Sequence, residues 1–436
     1  MDEITHRRVL RIALPIVLSN ATVPILGAVD TGVVGQMGQA APIGAVGLGA
    51  IILASVYWIF GFLRMGTSGL AAQAHGAGER AETGAILIRG LGVGALAGIG
   101  FVALQAPLVW AAFRIAPASA EVEALTRAYL EIRIWGAPAT IALYAVTGWL
   151  IALERTRGVL VLQLWMNGLN ILLDLWFVLG LGWGVEGVAI ATLIAEWTGL
   201  ALGLWLCRAA LPVLRDRIRI LSPGPLRRMF TVNRDIMIRS VLLQGSFTSF
   251  LFLGAGLGDV TLASNQVLLQ FLEITAYALD GFAFSAEALV GQAVGARRPA
   301  AVRRAAILSS QWAVGGSLAL GLAFWLAGPA IIDLMATAPE VRQEARRFLP
   351  WLAIGPLIGV ASWMFDGIFI GATLTREMRN AMLASVVLYA AAVVLLLPAF
   401  GNHGLWAALM ILNAARGATM AVYYGRAEAS ARPAAA

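Results

Sequence analysis

The sequence predicts an all-α integral membrane protein, with twelve transmembrane helices in two pseudo-symmetric six-helix bundles set in a V around a central cleft. Three observations lead there. Of its 436 residues, 60% are hydrophobic and only 13% charged, about half the charged share of an ordinary soluble domain. The apolar runs last roughly 20–30 residues, long enough for helices to cross hydrocarbon and unlike the short alternating segments of a β-barrel. Finally, Gln73-Ala74-His75-Gly76-Ala77 returns as Gln292-Ala293-Val294-Gly295-Ala296, an offset of 219 residues.

Polar turns and Gly/Pro-containing breaks place the spans near 9–36, 43–73, 84–112, 122–152, 158–180, 185–207, 236–257, 261–291, 304–332, 344–372, 380–399 and 404–425. Several exceed what an upright helix needs, which implies tilt or extension beyond the lipid. The first span carries Pro15 and Pro24 on either side of Asn20. Each proline removes a backbone donor, so a helix broken on both sides of Asn20 is expected, either able to bend or statically kinked. The fifth span has a single charge, Asp174, and the sixth adds Thr192 and Glu196 one turn apart. Glu273, Asp280 and Glu287 recur every seven residues in the eighth span, and Asp366 lies in the tenth.

All 31 basic residues are arginine. With the N-terminus inside, the cytoplasmic side receives 22 of them and the outer side 6, counting Arg133 among the outer ones. By the positive-inside rule both termini are cytoplasmic, which suits an inner, cytoplasmic membrane. Gly148 and Thr156-Arg157 also match Gly367 and Thr375-Arg376 at the same offset. Six spans per half make the repeat parallel. Residues 1–207 and 236–436 are therefore the two expected bundles, joined by an Arg-rich cytoplasmic linker over 208–235. Rocking of one bundle against the other is a known route to alternating access.

Other classes are disfavoured. The charge of +7 resides in connecting loops, as topology requires, and does not indicate nucleic acid. One cysteine, Cys207, and three scattered histidines give neither a disulfide framework nor a metal motif. The first apolar segment is too long and too internal for a cleaved signal peptide. No nucleophile–base arrangement or phosphate loop stands out, and no cofactor is implied. The remaining partners are small organic molecules and lipid, and the chain is read as a monomer.

The most informative residue is Asp30, the single charge between Ile12 and Leu63. A carboxylate near the bilayer centre costs about 2.5–3.5 kcal/mol on insertion scales, so something must offset it. Asn167, Asn170 and Asp174 fall at i, i+3 and i+7, one stripe of an apolar helix. Carboxylates, amides and a hydroxyl are hard oxygen ligands, suited to a proton relay or to Na⁺. The asparagines alone have a plainer reading as interhelical glue. In the second half, the positions matching Asn170, Asp174 and Thr192 hold apolar or aromatic residues around Tyr389, Val393 and Leu409. Cation chemistry is therefore expected in the first half. The face of Glu273, Asp280 and Glu287 has two readings, bordering a cavity or pairing with Arg239 or Arg416.

Asp30-Thr31-Gly32-Val33-Val34-Gly35 after Pro15, and Asn170-Ile-Leu-Leu-Asp174, resemble the multidrug and toxic compound extrusion (MATE) family. Ala72-Gln73-Ala74-His75-Gly76-Ala77-Gly78 and Ala286-Glu287-Ala288-Leu289-Val290-Gly291-Gln292-Ala293 are most similar to its DinF branch. The resemblance implies an exporter exchanging H⁺ or Na⁺ for organic, often cationic, amphipathic compounds. It implies a first-half cation site at Asp30, Asn170, Asp174 and Thr192, with Pro15 as the hinge proline. In the NorM branch an acid near the start of span seven belongs to a second-half Na⁺ site. Here that region reads Leu243-Gln244-Gly245, although Asp366 matches the acid of span ten. A flippase for lipid-linked oligosaccharide or peptidoglycan precursors, built on a related fold, is the alternative, and a non-transporting membrane enzyme or partner protein the remote one.

Overall fold

Long apolar runs punctuated by short breakers leave the chain little choice but helix after helix, since lipid offers no partner for an exposed peptide group. A computed structural model describes residues 3–36, 40–115 and 118–432, apart from the side chains of Ile25, Ala28, Asp30, Thr31 and Ile115. The first half comprises α1 (His6–Ala21), α2 (Val23–Gly35), α3 (Ala40–Trp58), α4 (Gly61–Gly76), α5 (Arg80–Ala103), α6 (Gln105–Ile115), α7 (Ala120–Arg133), α8 (Ala137–Ala152), α9 (Thr156–Asp174) and α10 (Gly184–Leu206). After the short α11 (Arg217–Ile220) come α12 (Pro223–Ala255), α13 (Asp259–Gly295), α14 (Pro299–Met335), α15 (Pro339–Gly371), α16 (Thr375–Phe400) and α17 (Asn402–Ser430). There is no strand among the described residues.

Eleven helical stretches among the described residues are long and apolar enough to cross a membrane. The twelfth expected span, 9–36, is divided between α1 and α2, at 16 and 13 residues each too short to cross alone. The division falls at Thr22. Pro24 occupies the first turn of α2, where its missing N–H would have had no helical partner anyway. Pro15 lies inside an α1 that runs on through it, so the interruption expected at both prolines occurs only beside Pro24.

The chain packs as two compact units. One comprises Leu18–Ala71 and Glu79–Met229; the other comprises Met1–Val17, Ala72–Gly78 and Phe230–Ala436. The expected boundaries of 1–207 and 236–436 therefore differ from the packing at 1–17 and 72–78, and α1 contributes to both units. The Arg-rich segment after residue 207 is anchored within the first unit. Buried Arg89 of α5 donates to the carbonyls of Arg219 at 2.6 Å and Ile220 at 2.9 Å while pairing with Glu82 at 2.6 Å. The second unit has an aromatic core in which Phe250 meets Trp406 edge-on at 4.7 Å. Beside it Asn265 and Asn402 exchange two amide hydrogen bonds, and Trp406 Nε1 donates to Asn265 Oδ1. Those buried polar groups satisfy one another, as an apolar core requires.

The repeat is visible in backbone geometry. Gly148 lies against the carbonyl of Arg64 in one unit, and Gly367 against that of Ala283 in the other; both members of the second pair stand 219 residues beyond the first. Within the second unit, Gly76 abuts the Gln292 carbonyl and Gly295 the Gln73 carbonyl, a reciprocal contact between repeat equivalents. Left-handed backbone recurs likewise at Gly78 and Arg297, and at Glu154 and Thr373. There the chain closes the helix ends, with Arg155 N donating to Leu150 O, Arg298 N to Ala293 O and Leu374 N to Phe369 O, the capping geometry of a Schellman turn. A methyl group at Gly148 or Gly367 would collide with backbone that cannot rotate away. Gly148→Ala and Gly367→Ala are each expected to cost about 1–3 kcal/mol through overpacking, whereas Gly92→Ala, facing open space, is expected to be neutral. Thermal unfolding in detergent checks this, and unchanged melting in both core variants would refute it.

Candidate ion-binding site

The stripe on α9 is buried: Asn167, Asn170 and Asp174 are 6%, 1% and 0% exposed. Helix α10 brings Thr192 across. Asn170 Nδ2 donates to Thr192 Oγ1 at 3.2 Å, and that hydroxyl donates to Val188 O at 3.0 Å. The Thr192 proton is thus committed to its own helix, and the oxygen remains an acceptor. Asn170 Oδ1 is buried and has no hydrogen-bond partner among the described residues. An unsatisfied buried carbonyl costs free energy and calls for an explanation, of which a bound ion is one.

Asp174 ends α9, and the chain continues through a π-helical turn, Leu175–Gly180, a widening often found at functional sites. Helix α2, which carries Asp30, packs against α9, the π turn and α10. The Asp30 side chain itself lies outside the described residues. The helices bearing all four expected ligands are therefore neighbours, and Asn170 and Thr192 are in direct contact.

Asn167 faces a different task. Its Nδ2 donates to Thr22 Oγ1 at 2.8 Å, and its Oδ1 accepts from Gln163 Nε2 at 2.9 Å. Thr22 in turn donates to Ser19 O at 2.7 Å. The break between α1 and α2 is thus tied by a side chain of α9, which favours the glue reading for this asparagine. Asn20 lies two residues before the break and is half-buried.

Glu196 stands apart from this cluster. It accepts from Arg133 Nη1 at 2.6 Å and Nη2 at 2.9 Å, with each side chain 9% exposed. Arg133, counted by sequence among the outer loop arginines, is instead a buried counter-ion on α7. The pair fits because Gly136, in the 3₁₀ turn between α7 and α8, has no side chain to meet it.

The second half resolves its charges in its own way. Arg239 of α12 and Arg416 of α17 both converge on Asp366 of α15, so these arginines pair with that acid and not with the α13 acids. Glu273 is exposed, Asp280 half-buried and Glu287 fully buried; the expected common face does not give them a common environment. At the position matching Asn170, Tyr389 shares a hydrogen bond with Ser249 at 3.0 Å and donates to Ser246 O at 3.3 Å. Thr22, Gln163 and the Arg133–Glu196 pair escaped sequence reasoning. The one available signal was the matching of opposite charges on different apolar spans.

Two repeated halves of membrane-crossing helices, with amide and acid groups buried within them, are the architecture of a membrane transporter. The MatE family model matches residues 15–176 and again 236–395, so the chain belongs to the multidrug and toxic compound extrusion (MATE) family and is not an enzyme. It is 40% identical over 423 residues to the DNA damage-inducible protein F of Escherichia coli, covering 95% of this chain and 91% of that one, which places it in the DinF-like branch. It is 28% identical over 338 residues to a probable multidrug resistance protein NorM of Synechocystis, covering 75% and 72%. A multidrug resistance MATE family transporter in an outward-facing conformation superposes with a TM-score of 0.87 at 19% identity, covering 98% of this chain and 96% of that one; the fold is shared.

Removing one member of a buried ion pair strands the other, at a cost of about 3–5 kcal/mol. Glu196→Leu or Arg133→Met alone should therefore lower thermal stability sharply, and the double variant should recover most of the loss. A double variant no more stable than the singles would count against the pairing.

Proposed function

We propose that this transporter is a cation-coupled efflux antiporter, exchanging H⁺ or Na⁺ for amphipathic organic compounds by alternating access. The observation that carries the proposal is Asn170 Oδ1, buried and without a partner beside Thr192 on the helix that ends at Asp174. Asp30, Asn170, Asp174 and Thr192 are the proposed ligands. The first two helices are joined at Thr22, and the Asn167–Thr22 bond makes that joint, rather than Pro15 alone, a candidate point of bending. The resemblance to the family supports Pro15 as a second one.

In this scheme the outward-facing protein takes up the coupling cation, the first span bends, and substrate leaves outward. Cytoplasmic substrate then drives the return. Each ligand must bind one state better than the other for such exchange to run. Two acids in one site also titrate as a pair, so a single proton shared between Asp30 and Asp174 is compatible with the scheme. Coupling is confined to the first half, because Arg239 and Arg416 already supply Asp366 with positive charge. The distribution of arginine supports an inner-membrane location with both termini cytoplasmic. A single chain holds both halves and the whole polar cluster, which supports a monomeric transporter.

Asp30→Asn should reduce export in proteoliposomes to the level of protein-free vesicles, and full activity in this variant would sink the scheme. Imposing pH and Na⁺ gradients separately identifies the ion. Only the gradient of the coupling ion should drive wild-type export, and Asn170→Ala should weaken a Na⁺ response more than a proton response, since it removes an oxygen ligand and no titrating group.

A further inference from the structure

The charge balance inside the second half leaves a remainder. Arg239 and Arg416 both donate to a single carboxylate oxygen, Asp366 Oδ2, Arg416 at 2.7 Å. Their side chains are only 6% and 5% exposed. Arg416 also donates to Asn413 Oδ1 at 3.2 Å, while Arg239 has no second acceptor among the described residues. Two buried cations therefore share one anion.

The geometry is unsaturated as well as unbalanced. A guanidinium has five donors and engages a carboxylate best through two parallel bonds, one to each oxygen. Neither arginine does so here. Both crowd onto Oδ2, and Asp366 Oδ1 is buried without a partner among the described residues. A bidentate ion pair would place one arginine across both oxygens, and neither arginine is placed so here. Two guanidiniums with donors beyond those engaged here are the groups that would bind the oxygens of a further anion.

We propose that Arg239 and Arg416 form an anion-binding subsite for the carboxylate or sulfonate of an amphipathic substrate. Asp366 positions the two guanidiniums, and its Oδ1 accepts a hydrogen bond from a donor on the same ligand. The substrates selected are acids or zwitterions, which departs from the cationic compounds that the family resemblance implies. This assignment rests on the export reading above, and it concerns what is carried rather than which ion drives it.

A matched pair of dyes tests it. Rhodamine 110 bears a free carboxylate, and rhodamine 123 is its methyl ester. Fluorescence polarisation on the full chain in detergent, with no gradient, should show the acid binding about tenfold more tightly than the ester, the scale of one charge-assisted contact. Arg239→Gln and Arg416→Gln should each abolish that preference. Equal affinities in the wild type, or a preference that survives in both variants, overturns the proposal. If neither variant folds, the wild type decides: benzenesulfonate should displace the acid and spare the ester, and displacement of both or neither counts against the subsite. Chloride competing as well as benzenesulfonate assigns the cluster to inorganic anions and also overturns it. Because binding is read without a gradient, failure here is distinct from failure of the Asp30→Asn transport test.

Discussion

An ion in hydrocarbon is tolerated only when something nearby carries the opposite charge or when its charge can be changed. That constraint orders the interior of this protein. Arg133 answers Glu196, Arg89 answers Glu82, and Arg239 with Arg416 answer Asp366. The Arg133–Glu196 pair links α7 to α10 and the Asp366 cluster links α15 to α12 and α17, so these contacts also fix how those helices are rotated, whereas Arg89 and Glu82 pair within α5. Among the buried oxygens that lack a hydrogen-bond partner among the described residues, Asn170 Oδ1 in the first half and Asp366 Oδ1 in the second each lie beside a polar cluster on neighbouring helices. These two atoms mark where chemistry can enter a frame that is otherwise closed.

The frame itself relies on close backbone approach. Without a hydrophobic drive between helices in lipid, small residues that let backbones touch do much of the packing. Gly148 and Gly367 each rest on a carbonyl, and the same approach occurs twice at a fixed offset. Polar specialisation could then diverge between the halves without disturbing the scaffold, as Tyr389 shows in the place that matches Asn170. A hydroxyl bonded to Ser249 closes there what an amide oxygen leaves open in the first half.

Much of this was legible in the sequence because membrane helices announce themselves by length and composition. The repeat was legible because glycine–carbonyl contacts and helix ends tolerate few residue types, so Gln73-Ala74-His75-Gly76-Ala77 and its echo kept their spelling. The stripe of Asn167, Asn170 and Asp174 was legible from helical spacing. What spacing could not reveal was the partner across the gap. Asn167 and Asn170 sit one turn apart on one face, yet one ties Thr22 and the other meets Thr192. Arg133 looked like a loop arginine because it lies at the end of α7, and only packing shows it turned inward onto Glu196. The first span's interruption was legible only in part: a proline inside a long helix can be accommodated, as at Pro15, while the break at Thr22 falls beside Pro24.

The π turn after Asp174 has a quieter consequence. From Thr156 to Gly182 and from Thr375 to Gly401 the two halves use the same number of residues, and both glycines adopt left-handed backbone. In the second half that stretch is α-helical through Phe400, whereas in the first a wider coil takes over at Leu175. A wider coil packs more residues into each turn and so advances less along its axis. The duplicated segments thus agree in letter count and disagree in physical length and in the phase of their side chains. Any inference carried across the pseudo-symmetry by sequence alignment alone loses its footing from Leu175 to Gly180, where the first half departs from its twin.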